Sequence, residues 1–440
     1  MRIQSRRYSP DGEGVDRCLP SIRRHRPARR YAPGHLAHGV FLLGVDADRD
    51  ERYMREALGL ARRGEGTTSP NPMVGALVVS SDRVVGRGYH VRPGSEHAEV
   101  MALREAGAAA RGATLYVTLE PCAHWGRMPP CADAIVDAGI RRVVVAFQDP
   151  DAKVNGRGLR RLAEAGVETH IGVAADAARR LNEAYVKHRT TGFPFVTAKW
   201  AMSLDGRIAT RAGDARWISG AASRDLVHEL RAVSDAILVG IGTVLRDDPQ
   251  LTARDLAAGP IDHQPTRIVL DSTLRIPPAA RVLERDGTPV IVATTSRSLP
   301  EARRRLQALG AEIVIADGPT GRVDLSELLA ELGRRGIMSL LVEGGETIHG
   351  ACIDAGRIDK VLAFVAPIIL GGPAPGPVGG AGVEKIAEAW RLSQTSIRQV
   401  DQDLVIEGYL PPVPPTEAVY CETSARSDRK RGTAPCSPAS

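Results

Sequence analysis

Three short stretches, widely separated in a chain of 440 residues, most restrict what this sequence can fold into: His-Ala-Glu at 97–99, Glu-Pro-Cys at 120–122 and Pro-Pro-Cys at 129–131. A metal ion that activates water needs three protein ligands of imidazole or thiolate type and a fourth position left open. His97, Cys122 and Cys131 supply such a set, and Glu99 supplies a carboxylate able to carry protons. Either a lone H-A-E or a lone pair of cysteines is a weak signal, because buried cysteine is commonly just a small hydrophobe. The ordered set, with a proline before each cysteine, is read as a catalytic zinc site, and the fold must bring the three stretches to one point.

Helix geometry adds expectations. Residues two apart do not share a helix face, so His97 is expected in the first turn after an N-cap at Ser95, with Glu99 reaching round. Both cysteines are expected at helix starts, where backbone N–H groups and the dipole favour thiolate. His124 lies between them and is expected to face substrate, since a fourth protein ligand would close the site.

The text around these stretches alternates between periods. Met54, Ala57, Leu58 and Ala61 follow helical spacing up to Gly64. VGALVV (74–79) and RVVGRGY (83–89) read as strands about the turn SSD. A helix over about 96–107, strand TLYVTL (114–119), helix 129–139 and strand RRVVVAF (141–147) continue the series. Residues 174–192 read as one connecting helix ending at Gly192, after which strands resume at 194–203, 235–240, 266–271, 289–294, 312–317, 339–345 and 360–367. Strand–helix alternation on both sides of 190–193 predicts two α/β domains, which the length also favours.

Charge decides one alternative. The chain carries +6, but residues 1–40 hold nine Arg against three acids and 411–440 hold four bases against three, which leaves 41–410 at −1. A deaminase acting on nucleic-acid bases, with an appended nucleotide-binding domain, calls for a positive face and stacking aromatics. The near-neutral body and 4% aromatic content speak against it. Six cysteines without an even framework suit a reducing cytoplasm, and no apolar run is long enough to span a membrane. Residues 1–47, Arg-rich and aperiodic, and the Pro/Ser-rich tail 412–440 are expected to be disordered.

In the second half, VEGGETIHG (342–350) follows an apolar strand and precedes a helix, so Gly344 and Gly345 would let backbone N–H groups approach a phosphate. No G-x-G-x-x-G stands between a strand and a helix, so a Rossmann domain is not supported. The run GGPAPGPVGGAG (371–382) reads as a surface loop.

The spacing of the cysteines carries a resemblance. Eight residues separate them in PCAHWGRMPPC (121–131), where familiar cytidine deaminases have two. With Asn71-Pro72-x-Val74-Gly75 and Gly88-Tyr89-His90, this insert resembles the deaminase half of the bifunctional riboflavin-biosynthesis family. KWAMSLDGRIA (199–209), ARWISG (215–220), GIGTVLRDDPQLTAR (240–254) and VEGG (342–345) are similar to its reductase half. The resemblance covers about 50–410 and implies a cytidine-deaminase-like α/β/α layered domain (48–192) followed by a dihydrofolate-reductase-like α/β domain (193–411).

It also implies roles. Asn71 and His90 would bind a phosphorylated aminopyrimidine, with Arg127 on its phosphate; Met128 departs from the family's usual Thr. Ala201, Trp217, Thr243, Asp247 and Ser272 match NADPH-contacting positions, as does the loop of Gly345, Glu346, Thr347, Ile348, His349, Gly350 and Ala351. Ala215, Arg231, Leu251, Arg254 and Glu343 match substrate positions. Chemically, Arg231 and Arg254 are fork donors suited to a ribityl phosphate, Glu343 is an acceptor for aminouracil N–H groups, and Lys199 is a cation placed to polarise substrate oxygen. The resemblance further implies one zinc ion per deaminase domain, a homo-oligomer, and two activities in sequence: deamination, then NADPH-dependent reduction of the ribose.

Overall fold

Two runs of alternating strand and helix build two sheets, each covered on both faces. The computed structural model describes residues 39–125, 129–255, 259–260 and 263–411; residues 39–47 enter only as the opening turns of a helix. Disorder was expected over 1–47 and 412–440; residues 39–47 are instead helical, while 1–38 and 412–440, with the assignments to Arg127 and Met128, lie outside the described residues.

Helix α1 (Gly39–Ala61) begins some ten residues before the regular text was expected to start, and its Met54, Ala57 and Ala61 are fully buried. Strands β1 (Gly75–Ser80) and β2 (Arg83–Tyr89) form a hairpin. Its turn residues Ser81 and Asp82 both take left-handed φ values, 47° and 59°, which suit the twist of paired strands. Then come α2 (Ala98–Ala106), β3 (Thr114–Val117), α3 (Cys131–Asp137), β4 (Arg142–Val145), α4 (Arg157–Glu164) and β5 (Glu168–Ile171). The sheet order is β2-β1-β3-β4-β5, antiparallel at β2-β1-β3 and parallel from β3 to β5. One face packs Ala98, Ala102, Ile135 and Leu162 from α2, α3 and α4. The other packs Tyr53, Met54, Tyr116 and Tyr185. This is an α/β/α layering.

Two glycines of the quoted motifs have packing reasons. A Cβ at Gly75 would fall 2.0 Å from the Ala57 carbonyl of α1, and one at Gly88 2.0 Å from the Ala98 carbonyl of α2. Gly88 thus lets the first turn of α2, which carries His97 and Glu99, lie directly on β2.

The connecting segment differs from expectation. It is two helices, α5 (Ala175–Leu181) and α6 (Glu183–Thr191), broken at Asn182. The Asn182 side chain instead accepts from Met73 N at 2.8 Å and donates to Met73 O at 2.9 Å, a tertiary pairing that outweighs local helical preference. Gly192, at φ 76°, ends α6 as expected.

The second series comprises β6 (Phe195–Ser203), α7 (Ala221–Val233), β7 (Ala236–Gly240), α8 (Ile241–Asp247), the short pair β8 (Arg254–Asp255) and β9 (Gly259–Pro260), and β10 (Thr266–Leu270). It continues with β11 (Val290–Thr294), α9 (Pro300–Ala308), β12 (Glu312–Ile315), α10 (Leu325–Arg334), β13 (Ser339–Val342), α11 (Glu346–Asp354), β14 (Lys360–Ala366), β15 (Ser393–Val400) and β16 (Asp403–Tyr409). The nine-stranded sheet runs β12-β11-β10-β7-β13-β6-β14-β16-β15. It is parallel from β12 to β14, with β16 and β15 added antiparallel. Its central strands are buried on both faces and read as continuous apolar runs, as parallel strands do. β5, β15 and β16 were not anticipated; β5 and β15 are mostly exposed and lack the apolar alternation that marks a strand.

Helix α6 touches both halves. Glu183 meets Lys360 at 3.2 Å and Tyr409 Oη at 2.7 Å, Lys187 pairs with Asp359, and His188 Nε2 lies 2.9 Å from the Gly333 carbonyl. One turn round the same helix, Tyr185 and Arg189 face the first sheet.

Candidate active sites

His97, Cys122 and Cys131 converge. Their ligand atoms all lie within 4.8 Å of one another, with His97 Nδ1 3.1 Å from Cys131 Sγ and 3.6 Å from Cys122 Sγ. Zn–S and Zn–N bonds of about 2.3 and 2.1 Å in tetrahedral array give ligand–ligand edges of roughly 3.5 Å, so the donor set fits one zinc ion in both chemistry and span.

Two local expectations are corrected. The helix starts at Ala98, so His97 is itself the N-cap residue, with extended backbone (φ −75°, ψ 157°), and the two-residue spacing to Glu99 poses no problem of helix face. Ser95 instead closes a turn on Arg92 through its hydroxyl. Only Cys131 opens a helix; Cys122 lies in irregular chain and receives the Cys131 N–H at 3.4 Å. The hydrogen bond from the Cys131 thiol, then that with His97, holds the Cys122 thiol far down, to about 4, while Cys131 is pushed up by Cys122 and by burial.

Glu99 is 4% exposed, and burial pushes its carboxyl up to about 7. It lines a cleft of about 490 Å³ together with Asn71, His90, His97, Cys122 and His124. Asn71 Nδ2 lies 3.0 Å from His90 Nε2, and His90 Nδ1 lies 3.3 Å from the Glu96 carbonyl. Burial lowers the His90 pKa, so a neutral ring with its proton on Nδ1 satisfies both contacts.

The second constellation centres on Glu343, just past β13. Arg231 of α7 donates Nε and Nη2 to its two oxygens at 2.6 and 3.0 Å, and Lys199 of β6 lies 3.3 Å away. Burial works to raise the Glu343 pKa, but Arg231 and Lys199 hold it well below the usual carboxylate range. Arg231 also donates Nη1 to the Thr252 carbonyl at 3.1 Å, so its fork is engaged within the protein, unlike the phosphate-facing fork expected for it. Arg254 is exposed, with Nε 3.3 Å from His228. Leu251 is buried in a left-handed conformation (φ 58°), rare for a branched side chain and typical of strained sites. Ala215 is half-buried in the loop before α7.

The positions matched to NADPH lie along one rim. Thr243 and Asp247 are in α8 after β7, Ser272 follows β10, and Gly345 caps α11 after β13; these three strands are adjacent in the sheet. Cβ atoms at Gly240 and Gly344 would fall 2.8 and 2.6 Å from Ile348, so both glycines let that side chain pack onto the strand ends, whereas a Cβ at Gly345, the N-cap of α11, would meet nothing within 4 Å and leaves open backbone that fits a diphosphate. Ala201 lies on β6, and the Trp217 ring is exposed beneath the Arg224 guanidinium at 4.8 Å. Within the loop, Glu346, Thr347 and Ile348 form the first turn, and Ala351 lies further along the helix. The His349 side chain is instead fully buried beside Trp200, and Gly350 packs against Gly379 of the 371–382 loop.

Comparison with known proteins follows from this geometry. Residues 47–147 match the model of the cytidine and deoxycytidylate deaminase zinc-binding region, and 194–406 match that of the RibD C-terminal domain. Riboflavin biosynthesis protein RibD of Aquifex aeolicus is 43% identical over 357 residues, covering 81% of this chain and 97% of that protein. The chain belongs to the RibD family. RibD of Escherichia coli strain K12 is also 43% identical, over 81% of this chain and 98% of its own. The solved structure of Acinetobacter baumannii RibD superposes with a TM-score of 0.75 at 40% identity, covering 83% of this chain and all of that one. A Thermotoga maritima structure described as a diaminohydroxyphosphoribosylaminopyrimidine deaminase/5-amino-6-(5-phosphoribosylamino)uracil reductase gives 0.72 at 34%, covering 84% and 100%.

Several RibD cleft residues escaped the sequence reading. Glu120, beside the Cys122 motif, is buried and accepts from the N–H groups of Asp149, Gly156, Gly158 and Leu159 at 2.9 to 3.3 Å, which pins the cleft wall and the start of α4. Asp149 lines the cleft, pushed up to about 6 by burial and bonded by Tyr185. Its place just after β4, at the C-terminal edge of a parallel strand, was the available signal. Tyr185 and Arg189 gave none, because a helix pattern does not say which wall it completes.

Proposed function

We propose that this chain carries out two successive steps of riboflavin biosynthesis. Residues 48–192 hydrolytically deaminate 2,5-diamino-6-ribosylamino-4(3H)-pyrimidinone 5′-phosphate. Residues 193–411 then reduce the product, 5-amino-6-(5-phosphoribosylamino)uracil, to the ribitylamino compound with NADPH. The observation that carries this reading is the convergence of His97, Cys122 and Cys131 beside buried Glu99, in a chain that also holds the Lys199–Glu343–Arg231 site.

In the first site, zinc bound by His97, Cys122 and Cys131 supplies the Lewis acidity that activates water. Glu99, shielded from bulk solvent, accepts one proton from the attacking water and gives it to the ring nitrogen, then takes the proton of the added hydroxyl as the carbonyl forms and gives it to the amino group, which leaves as ammonia. Asn71, with one amide hydrogen committed to His90, keeps its oxygen for substrate N–H. Arg127 is assigned to the substrate phosphate.

In the second site NADPH supplies the hydride, and the chain's task is alignment. The amides at the start of α11 cradle the diphosphate, with Thr243, Asp247, Ser272, Ala201 and Trp217 along the dinucleotide. Glu343, kept ionised by Arg231 and Lys199, accepts from the aminouracil N–H groups. Lys199 polarises a ribose oxygen, Arg254 takes the phosphate, and Ala215 and Leu251 shape the substrate wall.

The same reading makes the enzyme cytoplasmic, where thiolate ligands stay reduced and NADPH is held. It also makes it a homo-oligomer, supported by exposed Ile397 on the open edge strand β15 and exposed Ile386 and Trp390 in the segment leading into it. The test is an anaerobic assay with the diaminopyrimidine phosphate, following ammonia with and without NADPH. A chelator, or Cys122→Ala, should stop ammonia release yet spare reduction of pre-formed aminouracil. Undiminished deamination by a zinc-free Cys122→Ala enzyme would refute the mechanism.

A further inference from the structure

The rim that carries Gly345, Thr243 and Ser272 does not end at β10. The next strands outward are β11 and β12, whose following loops, 295–299 and 316–324, have no part in the reading above. Both are tied to Ser272. The Ser272 carbonyl accepts from Thr295 N at 3.4 Å and Thr295 Oγ1 at 2.8 Å, and the Ser272 hydroxyl accepts from Val323 N at 3.2 Å.

Arg297 lies in the first of these loops and its guanidinium rests on the second. A Cβ at Gly321 would fall 2.2 Å from Arg297 Nη1, so the guanidinium lies against the bare backbone of that glycine. Arg297 is exposed and, among the described residues, has no carboxylate partner. Exposed Arg322 follows Gly321, and Arg275 approaches buried Asp271 only to 4.0 Å. Asp317, the acid at the end of β12, is committed to the Ser296 N–H at 2.8 Å.

We propose that Arg297 binds the 2′-phosphate of NADPH and makes the reductase prefer NADPH to NADH. This rests on the reading of 193–411 as a dinucleotide-dependent reductase. From β13, after which the α11 amides cradle the diphosphate, to β11 is three strand spacings, roughly 14 Å, a span bridged by an adenosine 2′-phosphate and the length of an arginine side chain together. Ser272, which follows β10 in between, then meets the adenosine ribose. A guanidinium presents paired donors that match a phosphate and gain little from the uncharged 2′-hydroxyl of NADH, so the contact discriminates between the two cofactors.

Calorimetry on the full-length, zinc-loaded enzyme tests this without turnover, using NADPH, NADH, adenosine 2′,5′-bisphosphate and AMP. Arg297→Ala should weaken NADPH and the bisphosphate by about tenfold to a hundredfold while NADH and AMP stay within about twofold. Arg297→Lys should recover part of the loss. Because the side chain is exposed and makes no internal ion pair, the melting temperature should match that of the parent. An unchanged Kd for NADPH, or an equal loss for NADH, overturns the assignment. A parent enzyme that binds neither dinucleotide overturns the reductase reading and this inference with it.

Discussion

Tyr185 donates its hydroxyl to the Asp149 carboxylate, 2.9 and 3.2 Å from its two oxygens, and so ties helix α6 to the floor of the zinc-site cleft. The contact is buried, and neighbouring α6 residues grip the second sheet through Glu183 and Lys187. Tyr185→Phe should leave the reductase unchanged. Losing a buried hydroxyl partner of a carboxylate costs about 1–3 kcal/mol, and the loss should fall on the cleft: the KM for deamination rises several-fold while zinc content stays at one. Parental deamination kinetics would show that Asp149 needs no such anchor.

Glu99→Gln keeps the shape of the buried side chain and removes its proton-carrying capacity. Deamination should fall by about two to four orders of magnitude, with zinc by elemental analysis and reduction of aminouracil both unchanged. A variant retaining more than about a tenth of parental deamination would assign the proton transfer elsewhere.

Glu343→Gln strands Arg231, which is 16% exposed at its side chain, without a counter-charge. Breaking a buried pair in this way costs about 3–5 kcal/mol. The reductase half should melt earlier and lose turnover, while ammonia release continues. Calorimetric scans of the two transitions, with the deaminase assay beside them, give the readout.

Much of the deaminase site was legible because its chemistry demands particular residue types. Nothing but a shared ion explains His97, Cys122 and Cys131 in that order, and the structure brings their ligand atoms together. What failed was local geometry set by distant partners. The break at Asn182 answers to Met73, 109 residues away, and nothing in AADAARRLNEAYVKHR announces it. His97 as a cap residue depends on how closely α2 lies on Gly88. In the second half the strands were readable as apolar runs, but the mutual engagement of Arg231 and Glu343 was not, since a lone arginine in a helix pattern says nothing about its counter-charge. The polar edge strand β15 had no burial to give it a period.

His228 supplies a pH test. It is 8% exposed, and burial, with Arg231 and Arg254 beside it, pushes it down to about 4. The unfolded chain takes up this proton near pH 6.5, the folded chain only near 4, so the stability tied to the neutral ring is present above 6.5 and is lost as pH falls through that window. Between pH 7 and 5 the parent should lose a few degrees of melting temperature more than His228→Gln, of order 1 kcal/mol. Parallel curves for the two proteins would contradict the sign.

Helix α6 makes the two halves less separable than their distinct sheets imply. A chain severed after Gly192 would keep Tyr185 and Arg189 on the cleft but leave Glu183, Lys187 and His188 facing water, stripped of Tyr409, Asp359 and Gly333. A free-standing deaminase derived from this protein would therefore have to re-dress that flank before its cleft wall could hold its shape. Divorcing the two activities is in that sense a problem of surface design as well as of where to cut.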